Sequence, residues 1–430
     1  MNRLVNYMND SFAPKVNRLT RNDWVRSIQD SIMAVMPLIL IGSLITLISI
    51  LNEYADWWPD FSGINRFSFG LIGLFIAFLV PFYMMERRGH RDRRLVASAT
   101  GAAVFLYLLS PTFSEAGEII FLFERFGATG IFAGLIAGLA VSAVMVLSAR
   151  LSLFKKSTTM PDFIIVWFDS ILPIMACLVG AWLTVDVFGG DVFAGLVTAF
   201  EPLTAIAQSF WGFVLIYFIG AFLYSFGMSA WIMFPLIYPL QLQGIQENVE
   251  LVASGQDPTN FNTYEVLYSG WVAIGGVGAT LPLVIMMAFM ARSQRLKAIG
   301  RVSLVPSVFN INEPVVFGAP IAFNPILMVP FWINSILPPA LVYGALSWGL
   351  ADIPSKVYQL WYTPFPISTW IVSPGVAGLL LFAVIFALST AVWLPFLRVY
   401  DLQVLDEERA EAAAAGLTRV DGSVPAAESL

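Results

Sequence analysis

The sequence predicts an all-α integral membrane protein with about ten transmembrane helices, and three observations support this fold class. Hydrophobic residues make up 58% of the 430 residues and charged residues only 12%, whereas soluble domains are about 25% charged. Long apolar runs recur along the chain, and roughly 20 such residues cross the hydrocarbon core. No polar stretch approaches the ~100–150 residues of a soluble domain. We therefore expect energy input from an ion gradient or another protein, not from an ATPase domain in this sequence.

The membrane crossings follow from the apolar runs in chain order. They are predicted at 32–51, 67–85, 95–110, 130–149, 163–185, 210–227, 228–245, 267–290, 326–350 and 372–397. Pro235 and Pro239 interrupt the 228–245 run, because proline disrupts the helix around it. Residues 191–209 predict an amphipathic helix lying along the membrane surface. Asp169 lies near the start of its crossing, so a position at the membrane interface is favoured over a site at the midplane.

The distribution of basic residues predicts the orientation of the chain. Of the 23 lysines and arginines, only Arg66, Arg125 and Lys356 fall in loops that we assign to the external side. Basic residues concentrate on the cytoplasmic side of membrane proteins. Both termini are therefore expected in the cytoplasm, which requires an even number of crossings.

Residues 305–325, VPSVFNINEPVVFGAPIAFNP, stand apart from the apolar runs around them. Four prolines exclude one straight helix, because each removes a backbone donor and clashes with the preceding turn. The polar side chains of the segment are Asn310, Asn312, Glu313 and Asn324. We expect a re-entrant segment at membrane depth, where irregular backbone must be buried in protein or line a cavity. A carboxylate there indicates function; the alternative is a glutamate in a loop beside the bilayer.

These side chains suit a small, hydroxyl-rich solute. A carboxylate accepts hydrogen bonds from hydroxyl groups, and amides both donate and accept them. Broken helices near the midplane are where secondary transporters bind substrate. Trp231 and Trp361 lie in interrupted stretches and can cover the apolar face of a sugar ring, although anchoring at the membrane interface is the commoner role of tryptophan. An ion channel is disfavoured because the sequence has no ring of like charges.

No metal, cofactor or nucleic-acid site is expected. Cys177 is the single cysteine and His90 the single histidine, and neither lies in a cluster of ligand residues. The pattern therefore indicates neither a zinc site nor a redox pair. The stretch GGVGAT at 275–280 lacks the lysine of a phosphate-binding loop, so close helix packing is its expected use.

The stretch VPSVFNINEPVVFGAPIAFNPILMVPF, residues 305–331, resembles the IIC permease components of the bacterial sugar phosphotransferase system. Within that family it is similar to the lactose/cellobiose/diacetylchitobiose branch. The motifs GGVGATL, MPLILIGSL at 36–44 and MPD at 160–162 also fit. The resemblance covers most of the chain, from residue 15 to residue 397.

The resemblance implies a homodimer with re-entrant hairpins in the bacterial cytoplasmic membrane. Each protomer would bind a mono- or disaccharide of the cellobiose, chitobiose or lactose type. A cytoplasmic IIB protein, acting with IIA, would phosphorylate the sugar as it is delivered inward. The implied partners are thus the sugar, the IIB and IIA proteins and membrane lipid.

The family's N-x-N-E-P motif places its catalytic carboxylate at Glu313, beside the sugar hydroxyl that becomes phosphorylated. A carboxylate there can position that hydroxyl or accept its proton as a general base, and the phosphoryl donor would be a phosphocysteine on IIB. The other substrate-binding residues that the resemblance implies are Asn310, Asn312, Ser229, Trp361 and Thr363. Ser229 departs from the family, whose F-G-I-H-G motif has histidine where this chain reads SFGMSAW. Serine cannot titrate near neutral pH as histidine does.

This departure leaves three hypotheses. The leading one is a group-translocating sugar permease. The second is a receptor or sensor on the same fold, which binds a solute without phosphorylating it. The third is a gradient-driven carrier that uses the proton of Glu313.

The expected domain organisation has three parts. Residues 1–31 form a cytoplasmic amphipathic segment, 32–397 the permease domain, and 398–430 a disordered cytoplasmic tail. Within the permease domain, 32–190 is expected to form the dimer and 210–397 to bind the substrate.

Overall fold

The computed structural model describes residues 22–49, 57, 59–149, 162–187, 191–228, 233–319 and 321–414. Within these ranges the chain is mostly helical, which confirms the predicted all-α class. One short antiparallel ladder joins β1 (Thr112–Phe113) to β2 (Ile119–Ile120).

The first half of the described chain contains helices that pack into a layered bundle. They are α1 (Asp23–Ser49), α2 (Ser62–Phe67), α3 (Ile72–Arg87), α4 (Arg94–Leu108), α5 (Ile131–Ser148) and α6 (Asp162–Trp182). Helices α3, α4 and α5 approach closely because small residues line their contacts. A Cβ atom on Gly134 would lie only 2.3 Å from the carbonyl oxygen of Gly73, so this approach requires glycine.

Arg93 and Asp169 form a buried ion pair between the start of α4 and helix α6. The Arg93 Nη2 and Asp169 Oδ2 atoms are 2.8 Å apart, and the two side chains are 9% and 2% exposed. A buried charge without a partner is costly, so removing either residue would destabilise the fold. Asp169 thus has a protein partner in Arg93, and its predicted depth at the membrane interface stays a prediction.

The second half is more irregular. Its helices are α7 (Val192–Gln208), α8 (Phe210–Ser225), α9 (Phe234–Ala253), α10 (Leu281–Met290), α11 (Gln294–Val308), α12 (Glu313–Gly318), α13 (Pro325–Ile333), α14 (Leu337–Ser347), α15 (Ile367–Val372) and α16 (Val376–Ala414). A single π-helical turn, Glu265–Gly270, precedes α10. The predicted surface helix corresponds to α7, which meets α8 at an angle of 81°.

Six helices of the described residues are long and apolar enough to cross a membrane, or seven if the bent pair α7–α8 forms one span. The count of ten crossings therefore stays a prediction. The predicted crossing 267–290 differs from the structure, because a loop from Trp271 to Thr280 separates the π-helical turn from α10. Gly275, Gly276 and Gly278 have positive φ angles, which a continuous helix does not allow.

The polar C-terminal stretch also differs from expectation. We predicted disorder from Arg398, but α16 continues to Ala414. Asp401 accepts hydrogen bonds from the backbone N–H groups of Arg292 (2.8 Å) and Ser293 (2.9 Å). Glu408 accepts from the N–H groups of Gln294 and Arg295. The first N–H groups of a helix have no intrahelical partner, so α16 satisfies those at the start of α11.

Candidate functional site

Asn310 lies just past the end of helix α11, where the polar segment begins. Asn310 has a φ angle of +63°, the left-handed conformation common just past helix ends. The N–H of Asn310 donates to the Ser307 carbonyl, and the N–H of Ile311 donates to the Pro306 carbonyl. This pair of bonds is a Schellman motif. The break in the segment that the prolines predicted is confirmed: one helix ends at Val308 and the next begins at Glu313.

The side chain of Asn310 connects three parts of the chain. Its Nδ2 donates to the carbonyl oxygens of Trp361 (2.6 Å) and Thr363 (3.1 Å). Its Oδ1 accepts from the N–H of Gly275 at 3.0 Å. Both amide hydrogens and the amide oxygen are therefore engaged with backbone, so Asn310 positions the loop that carries Trp361.

Asn312 anchors the polar segment to the glycine-rich loop. Its Nδ2 donates to the Val277 carbonyl at 2.8 Å, and its Oδ1 accepts from the Tyr224 hydroxyl at 3.4 Å. A Cβ atom on Gly276 would lie 2.5 Å from Cγ of Asn312, so the amide fits only against glycine. The close packing predicted for GGVGAT is thus packing against this polar segment.

Glu313 follows as the first residue of α12 and is exposed to the space beside it. Among the described residues, no hydrogen bond or ion pair reaches its carboxylate, although its charge acts on the nearby Tyr224 hydroxyl. Its oxygens therefore remain available as acceptors for an incoming group.

A cavity lies in front of Glu313, between α8, α9, the π-helical turn and the glycine-rich loop. Its volume, including the mouth open to solvent, is about 950 Å³. The aromatic residues on its wall are Tyr217, Phe234, Tyr238, Tyr264, Tyr268 and Trp361, and the polar residues are Gln241, Asn310, Asn312 and Glu313. Flat aromatic faces beside a few hydrogen-bonding groups suit a ligand with apolar faces and polar edges.

A family model described as "Phosphotransferase system, EIIC" matches residues 29–335, more than two thirds of the chain. The chain belongs to this EIIC family. It is a sugar permease component of the phosphotransferase system and a multi-pass protein of the bacterial membrane.

Known relatives align with this EIIC chain over nearly its whole length. The cellobiose-specific EIIC component of Geobacillus stearothermophilus is 28% identical, covering 96% of this chain and 97% of the relative. The lactose-specific EIICB component of Lacticaseibacillus casei is 27% identical, covering 95% of this chain and 73% of the longer relative. The crystal structure of ChbC, the IIC component of the N,N'-diacetylchitobiose-specific system, is 27% identical. It matches with a TM-score of 0.82 over 94% of this chain and 99% of ChbC.

The predicted site residues occupy different places in the EIIC fold. Glu313, Asn310, Asn312 and Trp361 lie together on the cavity wall. Thr363 lies behind the wall, where its Oγ1 is 2.6 Å from the Tyr358 hydroxyl. Ser229 falls outside the described residues. The individual substrate contacts of these residues stay predictions.

Sequence reasoning missed two residues behind the cavity, Glu265 and Gln359. Glu265 is fully buried, and its Oε1 accepts hydrogen bonds from the Tyr358 N–H (2.8 Å) and from Gln359 Nε2 (2.7 Å). A signal was present, because Glu265 adjoins the apolar run that we began at residue 267. The criterion that singled out Glu313, a carboxylate within apolar sequence, applies to Glu265 once the run begins two residues earlier.

Proposed function

We propose that this EIIC protein binds a mono- or disaccharide of the cellobiose, chitobiose or lactose type in the cavity beside Glu313. A IIB protein then phosphorylates the sugar as it is delivered inward. The observation that carries the proposal is the Glu313 carboxylate, which lies on an aromatic-lined wall and has no hydrogen bond or ion pair among the described residues. The names of the relatives, which specify cellobiose, lactose and lichenan, support this sugar class.

The aromatic residues supply the apolar part of recognition. Trp361 and the tyrosines present ring faces that can cover the C–H faces of a pyranose, while the hydroxyl groups meet Gln241 and Glu313. Asn310 and Asn312 act mainly through the backbone that they hold, because their amides already bond to carbonyl and N–H groups.

The transfer step uses Glu313 as the base. The sugar hydroxyl attacks phosphorus, an O–P bond forms, and the S–P bond of the phosphocysteine on IIB breaks. The hydroxyl proton passes to the Glu313 carboxylate, and the departing thiolate takes up a proton to become a thiol. A carboxylate within hydrogen-bond reach of the reacting hydroxyl is the arrangement that general-base catalysis requires.

We further propose that residues 32–190 form the interface of a homodimer. Helix α6 presents exposed apolar side chains, which are Trp167, Ile171, Leu172, Met175, Val179 and Trp182. In a Cys177→Ser background, Met175→Cys should give a disulfide-linked dimer when membranes are oxidised. Val399→Cys, an exposed position on α16, is the control that should stay monomeric. Equal cross-linking of both variants, or of neither, would contradict this interface.

Both termini are proposed to face the cytoplasm, as the basic residues indicate. Glu115→Cys in the Cys177→Ser background should react with an impermeant maleimide in intact cells. Glu407→Cys should react only after the cells are opened. The reverse pattern would invert the topology.

Sugar binding to the purified protein tests the proposed function. A panel of radiolabelled mono- and disaccharides is measured with wild type, Glu313→Gln and the exposed control Glu115→Gln. We expect one sugar to bind wild type and the control, with phosphorylation by IIB lost in Glu313→Gln while the protein still inserts in the membrane. Unchanged phosphorylation in Glu313→Gln would remove its role as the base. Binding without any phosphorylation of wild type would favour the receptor hypothesis.

A further inference from the structure

Glu265 is a buried carboxylate that the transfer step does not use. It lies on the π-helical turn Glu265–Gly270, and its relative exposure is 0%. Among the described residues it forms no ion pair with a lysine, arginine or histidine. Its Oε2 atom has no hydrogen-bond partner there. A buried carboxyl group without a cation is costly, so its bonds through Oε1 must offset that cost or serve a function.

Those bonds lead to the cavity wall by two routes. The first runs through backbone: Oε1 holds the Tyr358 N–H and the Gln359 amide, and the Gln359 carbonyl accepts from the N–H of Trp361 at 3.0 Å. The second runs through side chains: Gln359 Oε1 accepts from the Tyr238 hydroxyl at 3.2 Å. Trp361 and Tyr238 both line the cavity. The Oε1 atom of Glu265 therefore holds two aromatic residues of the cavity wall, Trp361 and Tyr238, through its hydrogen bonds.

The Trp361 loop is held from two sides. Asn310, three residues before Glu313, holds the carbonyl oxygens of Trp361 and Thr363. Glu265 holds the start of the same loop at Tyr358 and Gln359. Asn310 relates the loop to the reacting carboxylate, and Glu265 relates it to Tyr238 on α9.

We propose that Glu265 is a positioning residue that sets the sugar selectivity of the cavity by fixing Trp361 and Tyr238. The proposal rests on the proposed sugar-binding function of the cavity. Selectivity follows because the spacing of two ring faces decides which pyranose fits between or across them. Glu265 itself lies behind the wall and does not line the cavity.

The hydrogen-bond pattern predicts which substitution is tolerated. In Glu265→Gln, the amide oxygen can accept both bonds that Oε1 accepts, while the NH2 group adds buried donors in place of the partnerless Oε2, so a small loss is expected. Glu265→Leu removes the acceptor, so the buried Tyr358 N–H and Gln359 Nε2 lose the bonds that Oε1 accepts from them, which is the costlier case. A positioning role therefore requires the acceptor, not the charge.

The experiment is a double-mutant cycle on sugar affinity, with the binding sugar identified from the panel above. The variants are Glu265→Leu, Glu265→Gln, Trp361→Ala and the double variant Glu265→Leu/Trp361→Ala, with Glu115→Leu as an exposed control. We expect about tenfold weaker binding for Glu265→Leu and a changed ratio of affinities between disaccharides. Glu265→Gln should stay within about threefold of wild type. In the Trp361→Ala background, Glu265→Leu should cost less affinity than it does in wild type, because only the route through Tyr238 remains.

Three results would overturn the inference. They are wild-type affinity and selectivity in Glu265→Leu, an equal loss in Glu265→Gln, or the same loss with and without Trp361. Should Glu265→Leu fail to fold in a thermal melt, Gln359→Leu tests the same route, because it cuts the link to Tyr238; unchanged selectivity there also rejects the proposal. If wild type binds no sugar, the proposed function fails first and the inference fails with it.

Discussion

The Asn310 amide donates to the carbonyl oxygen of Trp361 at 2.6 Å, across 51 residues of sequence. This bond joins the end of α11, three residues before Glu313, to the loop that supplies a tryptophan to the cavity wall. The Glu313 carboxylate and the Trp361 ring are therefore held in one frame. The Asn310 side chain forms these bonds, and the Asn310 backbone lies at the end of α11.

The first prediction tests this frame with Asn310→Gly. Glycine adopts the φ angle of +63° without strain, so the substitution removes only the side-chain bonds. We expect a loss of about 1–3 kcal/mol of stability, because buried backbone groups lose their partners. Sugar affinity should fall with it. Asn310→Asp should cost at least as much as Asn310→Gly, since its second carboxylate oxygen would face the Trp361 and Thr363 carbonyl oxygens without a hydrogen to donate. Wild-type melting and affinity in Asn310→Gly would refute the frame.

The residues around Glu313 show which features of the site the sequence predicts and which it does not. Proline spacing and one carboxylate among apolar residues were enough to predict a broken segment around Glu313. They could not show that the amides of Asn310 and Asn312 bond to backbone, because their partners lie 35 to 53 residues away. Glu265 was missed because hydropathy marks a helix boundary only approximately. The predicted crossing begins at residue 267, so Glu265 lies two residues outside it.

The C-terminal stretch illustrates a different limit. Its composition, rich in alanine and glutamate, is compatible with disorder and with helix. The decision depends on tertiary contacts, in this case acceptors on α16 that satisfy the first N–H groups of α11. Local sequence does not reveal a contact formed over more than a hundred residues.

The second prediction concerns Ser229, which falls outside the described residues and stands where the resembled family has histidine. We expect Ser229→His to insert normally and to alter substrate preference, because imidazole adds a titratable donor near neutral pH. The measurement is the affinity ratio across the sugar panel and the rate of phosphorylation with IIB, with Ser229→Ala for comparison. If the protein fails to insert, the position is structural.

The third prediction uses the pH dependence of stability at Asp191, which caps α7 and bonds to Arg125 at 2.9 Å. Burial raises the pKa of Asp191, but hydrogen bonds from Arg125 and the Ala194 N–H lower it by more, so this pKa lies below its ordinary value. A folded pKa below the unfolded one contributes stability above the unfolded value, and this is lost as the pH falls through the folded value. Asp191→Asn should therefore lose less thermal stability than wild type between about pH 5 and about pH 3. Asp257→Asn, at an exposed site, should follow wild type, and identical acid profiles for all three proteins would show that the pair contributes nothing.

The last prediction concerns Glu408, whose carboxylate accepts from the Ser293 hydroxyl (2.8 Å) and from the N–H groups of Gln294 and Arg295. Glu408→Leu should cost about 1 kcal/mol of stability, as the loss of a helix cap does. Because α11 leads directly to Asn310 and Glu313, we also expect faster hydrogen exchange along α11 and weaker sugar binding. Glu407→Leu is the matched control, since its side chain bonds to Gln403 and not to α11. If Glu408→Leu and Glu407→Leu exchange at the same rate along α11, the cap does not hold the helix that carries the site.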